Sequence, residues 1–126
     1  MKPKINFIAT LVLFFLVSCS NPENAMENTT VLVRYKTQPN KNVDAFESLK
    51  RLIEEIKKED HFVMIKMMVD PNDNSNILLY EVWEDEQYYR GEHMQKEHLQ
   101  EFINQSQQFL AGPPEISYYK VEEVYK

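Results

Sequence analysis

Two residue types are nearly missing from this sequence of 126 residues: it has two glycines, Gly91 and Gly112, and one cysteine, Cys19. With glycines so few and so far apart, no Gly-rich loop can cradle a phosphate or a dinucleotide. A lone cysteine has no disulfide partner within the chain and supplies no thiolate set for a structural metal. No Ser-His-Asp or Cys-His arrangement is visible either. Positive charge is also short. The 14 Lys and Arg stand against 20 Asp and Glu, a formal charge of −6 that argues against nucleic acid as a partner. The one long apolar run, residues 5–17, is too short to span a bilayer as a helix.

That run follows a basic start, with Lys2 and Lys4, and has the layout of a secretory leader. It ends Leu16-Val17-Ser18-Cys19, which resembles the bacterial lipobox. The resemblance implies a signal peptide over residues 1–18 and a mature chain that starts at an acylated Cys19. The alternative is a secreted chain with an incidental cysteine. Residues 19–28 carry Pro22 and no apolar period, so they form a tether. Residues 29–126 then make one small domain. The expected location is the cell envelope, membrane-anchored on the periplasmic side or at the outer membrane.

Within the domain, residues 30–37 alternate Val31, Val33 and Tyr35 against Leu32 and Arg34, the pattern of a strand. Asn42 can cap a helix over residues 43–58, with Phe46, Leu49, Leu52, Ile53 and Ile56 on one side and a solvated charged face opposite. Strands follow at residues 62–69 and 77–83, joined by the polar turn 71–76 as a hairpin. In the first of them Phe62, Met64 and Met68 oppose Val63, Ile65, Met67 and Val69. Asp85 can cap a second helical stretch, which Gly91 should bend into two pieces, the second running to Phe109. Gly112-Pro113-Pro114 stops it, and residues 116–125 read as a last, Tyr-rich strand.

The order β-α-β-β-α-β predicts an α+β, ferredoxin-like domain: a four-stranded antiparallel sheet with both helices on one face. Strands 62–69 and 77–83 are nevertheless apolar on both faces. The cheapest cover for the second face is the same face of another copy, so the expected assembly is a homodimer with a cavity at or beside the sheets.

The stretch from Glu81 through Trp83 to His93 and His98 carries the chemistry. Glu81 points the same way as the only tryptophan, and burying a carboxylate costs several kcal/mol unless it is paired or protonated. It is either a structural partner for a histidine or a backbone amide, or a group of raised pKa. Glu81-x-Trp83, followed by His93-x4-His98 and Phe102, resembles the antibiotic-biosynthesis monooxygenase-like family, also called dimeric α/β-barrel monooxygenases, which includes quinol monooxygenases. The similarity spans about residues 30–125. The resemblance implies a dimer that oxidises a small phenolic or quinol-type substrate with molecular oxygen and needs no cofactor or metal. An active-site Tyr of one member type falls on Tyr89, and His93 follows Trp83 by ten residues, one more than in many relatives.

The candidate catalytic residues are therefore His93, Tyr89 and Trp83, with Glu81, Tyr80 and His98 as substrate-binding candidates. His93 is the expected base, and its replacement by alanine should leave the melting temperature nearly unchanged. Against these roles, a large aromatic on a buried strand such as Trp83 is first of all ordinary packing, and the two histidines can serve as helix-end or interface residues. On one continuous helix His93 and His98 stand about 140° apart, at about 100° per residue, and cannot share a metal unless the helix breaks. Tyr80, Tyr88, Tyr89, Tyr118 and Tyr119 suit either a cavity for a flat aromatic or an interface. Two rival functions remain open: a dimeric binding module without turnover, and an isomerase of a small carbonyl compound using the same His and Glu.

Overall fold

The structure is a computed structural model that describes residues 27–126. The expected leader, Cys19 and all but the end of the tether lie outside the described residues. Four strands, β1 (Thr29–Lys36), β2 (Phe62–Val69), β3 (Asn76–Trp83) and β4 (Glu115–Lys120), form one antiparallel sheet in the order β2-β3-β1-β4. This is the ferredoxin-like arrangement that the element order predicts. Helices α1 (Asn42–Ile56) and α3 (Glu97–Ser106) pack on one face. There Leu49, Leu52 and Ile56 of α1 and Leu99 and Phe102 of α3 share a core with Val31, Val33, Ile77, Leu79 and Trp83.

Alternation decides which side chains reach that core. Along β3 the inward residues Ile77, Leu79, Glu81 and Trp83 are buried, while Leu78, Tyr80 and Val82 are half-buried on the opposite, helix-free face. Fully burying a Leu or Ile is worth roughly 1.5–3 kcal/mol, so the inward stripe fixes the register. In β2 a bulge at Val63 corrects the expected division of faces. Phe62 pairs with Trp83, but Met64 already pairs with Val82, so Phe62 shares the inner face with Ile65 and Met67. Met64 and Met68 belong to the helix-free face. A bulge puts two residues opposite one and shifts every later side chain, which strict alternation cannot foresee.

Three boundaries also differ. Asn42 is the first residue of α1 rather than its cap, and Lys41 precedes it without a side-chain cap bond. The chain ends its last strand at Lys120, not at residue 125, because Lys120 already pairs with Thr29, the first residue of β1. α3 ends at Ser106. Beyond it Phe109 and Leu110 turn inward, and Gln38 holds the carbonyls of Gln107 and Leu110 at 2.9 Å each.

The second helical stretch does come in pieces. Asp85 caps the short α2 (Glu86–Tyr88) by accepting from the Gln87 amide at 2.8 Å. A π-helical turn, Tyr89–His93, follows directly, and the chain is extended at Lys96 (ψ 139°) before α3 begins. Gly91 sits inside the π turn with no positive φ and open space where a Cβ would go. The bend therefore comes from the π turn itself, not from a glycine-only conformation. His61, just before β2, does take a left-handed backbone (φ 64°), uncommon outside glycine, and it turns the chain from α1 into the sheet.

Candidate functional site

A cavity of about 530 Å³ lies between the sheet and the two longer helices. Val33, Tyr35 and Leu79 form its sheet wall, Leu52 and Ile56 its α1 wall, and Leu99, Phe102 and Ile103 its α3 wall. Pro113 and Pro114 line its end. Into this apolar space come two ionisable groups besides tyrosine, Glu81 and His93. A volume of this order suits a small, flat organic molecule.

Glu81 reaches the cavity because it stands on the inward stripe of β3, 2 % exposed. Two residues on along the same stripe, Trp83 donates its Nε1–H to Glu81 Oε2 at 2.9 Å. Burial pushes the Glu81 carboxyl up to about 7, against the opposing effect of the Trp83 hydrogen bond. Glu81 is thus a group of raised pKa, and its hydrogen-bond partner is the Trp83 indole rather than a histidine or a backbone amide.

His93 is carried to the site by the π turn. Its ring stacks on Tyr89 (centroids 4.6 Å apart, planes 26°) and packs against Trp83 at 4.7 Å. Its Nδ1 meets Glu59 Oε2 at 2.9 Å and Oε1 at 3.1 Å. A carboxylate at Nδ1 fixes the tautomer: Nδ1–H donates, and Nε2 keeps its lone pair. Burial lowers the His93 pKa, partly offset by Glu59, so the ring is kept neutral and able to accept a proton. Tyr89 also lines the cavity, and burial followed by the charge of Glu81 raises its phenol well above the usual value.

Three expected site residues are placed elsewhere. Trp83 is fully buried behind the wall and touches the cavity only through the Glu81 and His93 it braces. Tyr80 lies on the helix-free face, because it alternates with Leu79 and Glu81. His98 faces away from the cavity: the break at Lys96 turns it onto Glu59 from the other side, where its Nε2 meets Oε1. Tyr88 likewise donates its hydroxyl to Glu59 (3.1 Å), while Tyr118 packs on Tyr89 and Tyr119 is exposed on the opposite face. Among the described residues no group of three or more His, Cys, Asp or Glu is placed to hold a metal ion.

Two site residues escaped the sequence reading. Tyr35, read only as part of the alternation of the first strand, presents its buried ring to the cavity. Glu59 was passed over with the charged end of α1. A signal existed: Leu49, Leu52, Ile56 and Glu59 succeed one another at helical spacing, so the carboxylate occupies the next place on the apolar stripe.

The titration of Glu81 makes a measurable prediction. Its ordinary value is 4.5 and its folded value about 7, so between these the folded protein keeps a proton that the unfolded chain has lost. The resulting stability is complete below pH 4.5 and is lost as pH rises through about 7. At 1.36 kcal/mol per unit it amounts to about 3 kcal/mol. Glu81→Gln keeps an oxygen for Trp83 and should abolish this loss, seen as a flatter melting temperature between about pH 5 and 8. Equal pH slopes for both proteins would refute it. His93, with its lowered value, acts in the opposite sense and costs stability as pH falls below about 6.5.

The fold has counterparts among known proteins. Residues 29–105 match the family model described as antibiotic biosynthesis monooxygenase. An uncharacterized protein of Synechocystis, sll1783, is 26 % identical over 122 residues, covering 94 % of this chain and 82 % of that one. Among solved structures, PA3566 of Pseudomonas aeruginosa superposes with a TM-score of 0.72 at 17 % identity, covering 79 % of this chain and all of that one. SnoaB of Streptomyces nogalater, a cofactor-independent oxygenase, has a TM-score of 0.68 at 10 % identity, covering 78 % of this chain and 96 % of that one. At these identities the two structures speak for the fold. The family match covers more than half the sequence, and the chain belongs to the antibiotic biosynthesis monooxygenase family.

Proposed function

We propose that this domain is a cofactor-independent monooxygenase that oxidises a small phenolic or quinol-type substrate with molecular oxygen. One observation carries it: in an apolar cavity, a neutral imidazole is stacked on a tyrosine and held by a carboxylate at Nδ1, leaving Nε2 as a proton acceptor. His93 Nε2 takes the proton of a substrate hydroxyl, and the electron-rich phenolate reacts with oxygen. One oxygen atom enters the ring and the other leaves as water, converting a phenol to a quinone. Glu81, partly protonated near neutrality, can donate a hydrogen bond to a second substrate oxygen, and Tyr89 orients the ring.

The test is oxygen uptake by the purified protein with a panel of hydroquinones and no added metal or flavin. Uptake supports the proposal; tight binding without uptake supports a binding module instead. The pairing of His93 with a carboxyl raised to about 7 also favours one alternative chemistry, isomerisation of a small carbonyl compound. Proton exchange into a β-diketone without oxygen uptake would identify that case.

Two further features belong to this proposal. The helix-free face presents Leu32, Met64, Met68, Leu78, Tyr80 and Val82, and we propose that a second copy covers it in a homodimer. A stable monomer in light scattering at micromolar concentration would refute the pairing. Cys19 is proposed as the acylated anchor on the outer side of the membrane, supported by the residues that precede it. Cys19→Ala should then move the protein to the soluble fraction, and unchanged membrane association would count against the anchor.

A further inference from the structure

The cavity runs from a closed, polar end to an open, apolar one. Leu79, Val33 and Ile116 pair across three neighbouring strands on the inner face, a floor of two strand spacings or about 10 Å. At its β3 end Glu81 is the next inward residue, and Glu81, His93 and Tyr89 are all buried. At its β4 end Ile116 and, on α3, Ile103 also line the cavity, but they are 38 % and 40 % exposed. The mouth therefore opens between the edge strand and α3, on the helix side of the sheet. A second copy on the helix-free face would leave it free.

A singly exposed isoleucine is ordinary. These two, however, continue the apolar lining of Val33, Leu99 and Phe102 out to solvent. A phenol ring held between Glu81 and His93 is shorter than the floor and leaves its outer part in water. Among the described residues, no Lys or Arg lines the cavity. A carboxylate or phosphate on the substrate would find no cation there to offset its desolvation.

We infer that the substrate is an uncharged phenol or quinol bearing an apolar chain, which lies along Val33 and leaves past Ile103 and Ile116. The inference rests on the proposed chemistry at His93, which puts the ring at the closed end. Ile103 and Ile116 are specificity-determining residues in this scheme and touch no reacting atom. Their contacts with the chain are the same before and during the reaction, so the chain lowers KM and leaves kcat nearly as it is.

The probes are phenol and its 4-ethyl, 4-butyl, 4-hexyl and 4-octyl derivatives, with binding measured by calorimetry. Affinity should rise by up to about fourfold for each methylene buried, then level off once the chain has passed the mouth. Ile103→Gln and Ile116→Thr, both at exposed positions, should lower the ratio of octyl to ethyl affinity. Affinity that is equal across the series, falls with length, or rises identically in both variants overturns the inference. Oxygen uptake is measured separately with the matching alkyl hydroquinones. Chain-length steps in binding without uptake sink the proposed oxidation and leave the path of the chain standing. Uptake with the same KM for every chain does the reverse, and binding by no member of the series overturns both.

Discussion

His93→Ala is expected to slow the oxidation of a hydroquinone by about 10²–10⁴-fold, the usual cost of losing a positioned general base. The remaining rate would come from the rest of the apolar cavity and from Glu81, which the substitution leaves in place. The sequence alone suggested that such a variant would melt like the wild type, and the packing corrects this. His93 is buried, stacked between Tyr89 and Trp83, and it supplies one of the hydrogen bonds of Glu59. Its removal should also cost about 1–3 kcal/mol of stability, chiefly by depriving a buried carboxylate of a donor. His93→Gln separates the two effects. Its amide can still donate to Glu59, so stability should recover in part while turnover stays low. Full activity in His93→Ala, or activity that follows bound metal or flavin through dialysis, would refute the mechanism.

The largest effect on stability is expected at Trp83. Trp83→Ala should cost about 3–5 kcal/mol, the range for removing a large aromatic from a core. Small domains have only about 5–15 kcal/mol in total, so much of the protein would unfold at moderate temperature. The ring is fully buried and contacts Phe62, Tyr88, Tyr89 and His93, at centroid distances of 5.8, 6.0, 5.4 and 4.7 Å. Trp83→Phe refills most of the space but leaves Glu81 without its N–H donor. That variant should lose about 1–3 kcal/mol and push the Glu81 carboxyl higher still. Urea titration would measure both. A loss under 1 kcal/mol for Trp83→Ala would mean that the aromatic cluster contributes little.

The fold was legible because both of its periods are written plainly: the alternation of Val31, Val33 and Tyr35, the 3.6-residue stripe of α1, and the polar turn between the hairpin strands. Glu81 was legible as an anomaly, a charge on a stripe that must be buried. What was not legible depends on departures from regular geometry. A bulge at Val63 cannot be seen in an alternating pattern of apolar residues on both faces. The π turn and the break at Lys96 set where His93 and His98 point, and ideal helical angles sent them 140° apart when in fact both reach Glu59. Glu59 itself was hidden by its neighbours, since a carboxylate after Lys57 and Lys58 looks like the end of a solvated face.

The π turn at Tyr89–His93 also bears on how much chain is spent between Trp83 and His93. A π turn closes each hydrogen bond over five residues where an α-helix uses four, so it absorbs one extra residue without lengthening the path. Such a turn lets the chain hold one residue more between Trp83 and His93 than an α-helical turn would. His93 keeps its place against Trp83 at 4.7 Å, with the additional residue taken up inside the turn. Gly91, exposed and surrounded by open space, is the residue whose loss would cost least. Its deletion should restore an ordinary helical turn and preserve the contact of His93 with Glu59; loss of that contact in histidine NMR spectra would show that the turn does not simply absorb one residue.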